Sequence, residues 1–341
     1  MLNCKLLCVC LAGAILGGTA HGASAQTFES VGVRAQGMSG AFVAVADDAT
    51  ASWWNPAGLA TGSFLSAVIE GGQTTEPGTP SPRGPATRTT YGDVAFAFPS
   101  LGLSYYRVRA SEIAGPDSTA VSAGNRQDPG TAGSIVRSVA LSQFGATVGQ
   151  SLGDHVVVGS TLKLVHAGAV IGFATGSSPL DDADGFDVSG QTRASVDLGA
   201  MADMGQMRLG LTVRNVTEPS FGKEGVDRLT LKRQARVGFA VLTVPQGGQR
   251  GLTVAADADI TTTDTAVGEV RHVASGVEGW LAKGRLGLRA GASANTVGER
   301  RPSVSGGVSV RLTPAFRWNA SATTGRDESV TGWSMSASVA F

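Results

Sequence analysis

Histidine is the side chain best suited to acid–base or metal chemistry at neutral pH, and His155, His166 and His272 stand far apart with no HExxH or paired spacing. Serine is plentiful, but no GxSxG elbow and no nucleophile–base–acid set can be read. The glycine-rich runs form neither a phosphate-cradling loop nor a GxGxxG turn at the head of a strand–helix–strand unit. One acidic run, Asp181-Asp182-Ala183-Asp184-Gly185-Phe186-Asp187, could ligate a calcium ion, because several carboxylates converge beside a turn-forming glycine. It lacks the full loop spacing and the distal glutamate, so a solvated acidic loop is the plainer reading. These residues lead us to expect a protein that is not an enzyme, with no catalytic residue, no cofactor and no resident metal. With 27 Lys and Arg against 27 Asp and Glu, the charge balance gives no argument for a nucleic-acid partner.

The elements around these residues begin with a leader. Lys5, an apolar core from Leu6 to Leu16 and Ala23-Ser24-Ala25 read as a secretory signal peptide over residues 1–25, its core too short to span a bilayer as a helix. Cys4, Cys8 and Cys10 all lie in that segment, so no disulfide is expected afterwards. Beyond the leader the chain is glycine-rich, with 48 in all, and no later stretch is apolar enough for a spanning helix.

Instead, polarity alternates residue by residue. Trp333, Met335, Ala337, Val339 and Phe341 share one parity, and Ser334, Ser336 and Ser338 the other. Met207, Leu209 and Leu211 alternate with Arg208, Thr212 and Arg214, while Leu252, Val254 and Ala256 alternate with Thr253, Asp257 and Asp259. Strands with Arg or Asp on one face and aliphatic residues on the other fit a barrel with lipid outside and a polar lumen inside. Strands are expected near residues 63–72, 89–98, 101–110, 134–149, 154–166, 191–203 and 206–215. Seven more follow near 230–244, 249–261, 268–281, 284–294, 302–312, 315–323 and 329–341. The fold class is therefore all-β, a 14-stranded antiparallel transmembrane barrel over residues 63–341. Tight turns such as Pro99-Ser100 and Lys283-Gly284 alternate with long links, the pattern of bacterial outer-membrane barrels. An even strand number puts both termini on the periplasmic side, and the terminal Phe341 is a candidate signal for the outer-membrane assembly machinery. Trp280, Trp318 and Trp333 are expected in the wall or the interfacial belt.

Fourteen strands enclose a lumen that would leak unless something filled it. Residues 26–62 precede the first strand and have the small, close-packing composition of a plug. Within them GMSGAFVAVADD could make two or three helical turns, Asp47 and Asp48 next to Thr50 suit caps, and Asn55-Pro56-Ala57-Gly58 reads as a sharp turn with a left-handed exit at Gly58. Arg34, Asp47 and Asp48 could pair with inward-facing Arg208, Arg285, Arg289, Asp257, Asp259 or Glu278. Trp53 and Trp54 could meet an apolar ligand or simply seal the plug.

In order along this segment come a GxRAxGMxGAF run (Gly32, Arg34, Gly37, Gly40), an ADDA run (Asp47, Asp48) and an NPAGL run (Asn55, Pro56, Ala57, Gly58). Together they resemble the N-terminal hatch of FadL-type outer-membrane transporters, in the compact form of the PorV/PorQ-like branch. The resemblance implies a small helical hatch inside the lumen and passive uptake of hydrophobic, long-chain fatty acid-like molecules from the outer leaflet side into the membrane. It points to Met38, Phe42, Trp54, Asn55 and Pro56 as hatch residues near such a ligand. The alternative it implies is a PorV-like partner of protein secretion components, and a general diffusion porin is weaker because it gives no reason for a plug. Expected partners are outer-membrane lipid and a hydrophobic ligand. The leader reading is checked by N-terminal sequencing of the outer-membrane form, which should begin at Gln26.

Overall fold

The computed structural model describes residues 31–76, 86–113, 134–174, 178–222, 228–243, 251–265, 268–326 and 330–341. The expected signal peptide over residues 1–25, with Cys4, Cys8 and Cys10, lies outside them. In the first half, the strands are β1 (Ser66–Glu76), β2 (Thr87–Phe98), β3 (Leu101–Ile113), β4 (Ser134–Leu152), β5 (Val156–Ala174), β6 (Gln191–Asp203) and β7 (Met207–Arg214). A small hairpin, β8 (Ser220–Phe221) and β9 (Leu229–Thr230), comes next, then β10 (Gln234–Thr243) and β11 (Leu252–Asp259). A second small hairpin, β12 (Thr263–Thr265) and β13 (Gly268–Val270), precedes β14 (His272–Leu281), β15 (Leu286–Asn295), β16 (Ser303–Arg311), β17 (Phe316–Gly325) and β18 (Thr331–Ala340).

Fourteen of these close into one antiparallel barrel in which β18 pairs with β1, Ser66 opposite Ala340. The seam is extended by Phe341, whose N–H donates to the Leu65 carbonyl. The alternation sets the faces: Leu209, Leu211, Val254, Phe144, Leu164 and Met335 are exposed on the outside, while Arg214, Asp257, Thr147, Lys163 and Ser334 are buried within. A pattern of period two leaves the register little freedom, since a slip of one residue would exchange the two faces.

All fourteen expected barrel strands are present, and three differences have physical causes. β1 begins at Ser66 because residues 56–61 are still coiled. β4 and β5 are 19 residues each and pair along their whole length, Ser134↔Ala174 to Leu152↔Val156, well beyond the nine to eleven or so residues that cross a bilayer. The two small hairpins are not among the expected strands: the first lies almost wholly in the link before residue 230, and the second takes residues 268–270 from the strand expected over 268–281, so that β14 begins at His272; each has too few residues for an alternation to register. Each barrel ladder keeps a single register along its paired length, with no bulge among the described residues. The pairing is shortest between β6 and β7, Leu198↔Val213 to Asp203↔Arg208, so residues 191–197 of β6 have no β7 partner. There the link takes over, with the Val216 N–H donating to the Val196 carbonyl.

The N-terminal segment runs through the lumen as α1 (Val33–Gly37), α2 (Ala51–Trp54) and a 3₁₀ turn (Pro56–Thr61). The expected helix over GMSGAFVAVADD does not form. Ser39 and Gly40 both take positive φ, 54° and 88°, which ends α1, and the valines beyond them run through turns against the wall. Asp48 does organise the next turn, accepting from the Thr50 N–H (3.0 Å) and the Thr50 hydroxyl (2.5 Å), whereas Asp47 turns toward Arg34. Asn55 caps the 3₁₀ turn by accepting from the Ala57 N–H, with Pro56 in the first helical position. Gly58 makes no left-handed exit. Glycine is needed there because a Cβ would lie 2.1 Å from the Ala46 carbonyl oxygen.

The same logic shapes the wall. At Gly276 and Gly291, on neighbouring β14 and β15, a side chain would run into the Met38 backbone, with a Cβ on Gly291 only 2.4 Å from the Met38 carbonyl carbon. Gly291→Val should therefore destabilise the folded barrel by about 1–3 kcal/mol. The readout is the temperature at which the compact electrophoretic band is lost, and Gly185→Ala, with open space around it, should leave that temperature unchanged.

Candidate functional site

Three sets of polar contacts hold the segment in the bore. At the end of the barrel with the short turns, α1 places Arg34 against the wall. Its Nη1 donates to Asp47 Oδ1 at 2.8 Å and to Asp48 Oδ2 at 2.6 Å, and its Nη2 to Glu278 Oε1 at 3.1 Å. Glu278 is fixed in turn by Arg289 Nε at 2.6 Å, whose Nη2 reaches Ser309 Oγ. Burial opposes the Arg34 charge, but Glu278 and Asp48 outweigh it and hold the guanidinium more firmly protonated than usual. Burial likewise pushes the Asp48 carboxyl up, and the Arg34 charge with hydrogen bonds from Thr50 and Arg34 brings it below the ordinary carboxylate value.

Midway, Asp257 on β11 accepts two backbone N–H groups, from Phe42 and Val43, both at 2.8 Å. These donors belong to turns with no secondary-structure partner, so a wall carboxylate supplies the acceptor they require. Glu70 on β1 does the same for the Val33 N–H at 3.1 Å. Asn55 uses both ends of its amide: Nδ2 donates to the carbonyls of Val43 (3.0 Å) and Ala200 (3.2 Å), while Oδ1 serves Ala57.

Aromatic contacts make the third set. Trp53 stacks between Tyr106 (4.9 Å) and the Arg214 guanidinium (3.7 Å), and Trp54 donates to the Val31 carbonyl with its edge toward Phe42. Beside them Lys163 pairs with Asp197 and donates to Asn215, all three buried.

The expected hatch–wall pairs resolve as follows. Arg34 meets Glu278, and Asp257 meets the plug backbone. Arg208 pairs instead with Asp203, Asp259 with Arg236, and Arg285 lies exposed at its turn. Met38, Phe42, Trp54 and Asn55 are fully enclosed and Pro56 is buried, all between plug and wall. Trp318 and Trp333 face outward, but Trp280 is not a belt residue. It points inward beside Glu278, to which its Nε1 donates at 3.2 Å, because it shares Glu278's parity. In the acidic run, Arg88 pairs with Asp181, and Arg109 donates to the carbonyls of Ala183, Asp184 and Phe186. The hydrogen bond and charge of Arg88 lower the Asp181 carboxyl. The histidines lie apart, His155 near the Asp203 carbonyl and His166 beside Thr192.

At the opposite end, the inner wall on β3 to β5 is largely apolar, with the Glu112–Arg137 ion pair in the same row as Ile171. Register brings Val108, Leu141 and Ala167 into one row and Ala110, Val139 and Ala169 into the next. Above them, inward-facing Ile171 and Phe173 are 45% and 61% exposed. Phe221, Leu229 and Leu231, from the β8–β9 hairpin and the residue after it, pack on Val139, Leu141, Val165 and Ala167. The alternation rule, which assigns polar residues to the lumen, passes over this surface. Its signal is the loss of alternation in β5, where Leu162, Leu164, Val165 and Ala167 make both faces apolar.

The family model described as F plasmid transfer operon, TraF, protein matches residues 83–259, more than half of the chain. The chain belongs to this TraF family. The TraF-family chain also shares its fold with solved barrels. The Ralstonia pickettii toluene transporter TbuX superposes with a TM-score of 0.63 at 13% identity, covering 92% of this chain and 99% of that one. A Pseudomonas aeruginosa FadL homologue gives 0.61 at 12% identity, covering 94% and 100%. The P. putida toluene transporter TodX gives 0.57 at 14%, covering 92% and 99%. The fold is thus the FadL-type barrel that the hatch runs resemble. No curated protein matches the TraF-family chain.

Removing Arg34 strands Asp47 and Asp48 without their cation and leaves Glu278 only Arg289, so Arg34→Met should cost about 3–5 kcal/mol in urea unfolding. Because the folded Asp48 value is depressed, its stabilisation is complete above the unfolded carboxylate value of about 3.9 and is lost as pH falls through the lower folded value. Unfolding midpoints of wild type and Asp48→Asn between pH 7 and pH 3 should converge on the acid side.

Proposed function

We propose that the protein is an outer-membrane barrel for passive uptake of hydrophobic small molecules, with both termini periplasmic. The observation that carries this reading is the apolar inner surface at the mouth of a bore whose remaining lining is polar. A poorly soluble molecule gains by leaving water for Ile171, Phe173 and Ile135, at about 25 cal/mol per Å² of apolar area removed. It then displaces Phe221, Leu229 and Leu231 from the rows beneath. Met38, Phe42, Trp54, Asn55 and Pro56 form the floor, residues 26–62 acting as the hatch of a barrel over 63–341. The upper part of β6, where link residues Val216 and Thr217 replace β7 as its partners, is the place for sideways exit into lipid. Transfer follows the concentration gradient, with no covalent step. Likeness in fold to the toluene transporters TbuX and TodX supports the reading.

A second reading, a plugged barrel that serves as a partner of secretion components, is favoured by the sealed plug and the unbroken ladders. Proteoliposomes separate the two. Uptake of a fluorescent fatty acid or alkylbenzene should be saturable and fall about tenfold in Phe173→Asp, a loss of about 1.4 kcal/mol in binding. Absence of uptake and binding, with stable capture of exported proteins, would instead establish the partner role.

A further inference from the structure

At the short-turn end, opposite the apolar mouth, a cavity of about 310 Å³ lies between the plug, the turn that follows β14 and the adjoining ends of β16 and β17. Its plug side is the Arg34 cluster, where the cation is already matched by Asp47, Asp48 and Glu278. Its wall side is different. Arg311 on β16 and Arg317 on β17 are register partners, directly opposite one another, and both line the cavity. Both guanidiniums lean on Trp280, 5.5 and 5.7 Å from its ring. Lys283 adds a third cation from a turn residue in the left-handed region, φ 56°.

Among the described residues no carboxylate makes a contact ion pair with Arg311, Arg317 or Lys283, Asp48 and Glu278 acting on Arg317 only from across the cavity, and the Arg311 Nε is buried without a hydrogen-bond partner. Like charges directly across two strands repel. A pair that faces a cavity and is backed by an aromatic ring is stabilised when an anion enters between its forks. Guanidiniums present planar donor pairs that match carboxylate and phosphate oxygens. We infer that this cavity binds an oxyanion, a carboxylate or a phosphate, held by Arg311 and Arg317 against Trp280, with Lys283 closing the outer side. The site is independent of what enters at the mouth.

The test is calorimetric titration of the full mature protein in detergent at constant ionic strength, with inorganic phosphate in one arm and butyrate in the other. Saturable binding of either anion is expected, weakened about tenfold or more in Arg311→Gln and Arg317→Gln. It should be unchanged in Arg107→Gln, an exposed residue of β3. Preference between the arms identifies the oxyanion. A second measurement needs no variant: in wild type the bound anion should shield Arg311 and Arg317 from phenylglyoxal, read by peptide mass spectrometry. Absence of binding in both arms, an equal loss in Arg107→Gln, or equal labelling with and without anion would overturn the site.

Discussion

A closed sheet of fourteen strands has a circumference that its own inward side chains cannot fill, and the rest of the structure follows from that volume. Either water occupies the space or another part of the chain does. Here the segment before β1 occupies it, and its residues from Val31 to Leu59 are almost all removed from solvent. Burying a non-repetitive backbone is costly unless every N–H and C=O finds a partner. The wall meets that demand in part with single carboxylates in fixed places, Glu70 and Asp257 on different strands, while Glu278 on a third holds the Arg34 side chain.

Those carboxylates also explain the charge pattern of the lumen. A buried acid is tolerated when it is paired or receives several hydrogen bonds. Asp257 receives two backbone donors and Glu278 two guanidiniums, so the plug is part of what makes the wall's charges acceptable. The dependence runs the other way at the glycines, where the wall gives up side chains at Gly276, Gly291, Gly159 and Gly199 so that the Met38 and Pro56 regions can approach closely. Plug and barrel are therefore fitted to one another through both polar contacts and close backbone approach.

The two ends of the plugged barrel have different chemistry. The tall β3–β5 side presents aliphatic and aromatic groups to the mouth, and the hairpin side chains Phe221, Leu229 and Leu231 cover them. The short-turn end presents arginines around Trp280. Between them lies a buried layer of Trp53, Trp54 and Phe42, with the Arg214 and Arg236 guanidiniums against its indole rings.

The amino-acid order by itself determined the barrel. Alternation repeated over fourteen segments fixes strand number, faces and antiparallel order, because period two is a local property that each strand expresses alone. The turn chemistry of Asn55-Pro56 was legible for a similar reason, a local hydrogen-bonding habit, whereas the choice of Glu278 among the possible wall partners of Arg34 was not. What only tertiary structure decided is where non-repetitive residues meet. The chain from Gly37 to Asp48 follows the wall instead of coiling, because wall groups such as Asp257 outbid its modest helix preference. Trp280 and the Arg311–Arg317 pair come together only through the register of β14, β16 and β17, and the apolar mouth only through that of β3, β4 and β5. Contacts between residues so distant in the chain depend on ring closure, which no single segment encodes.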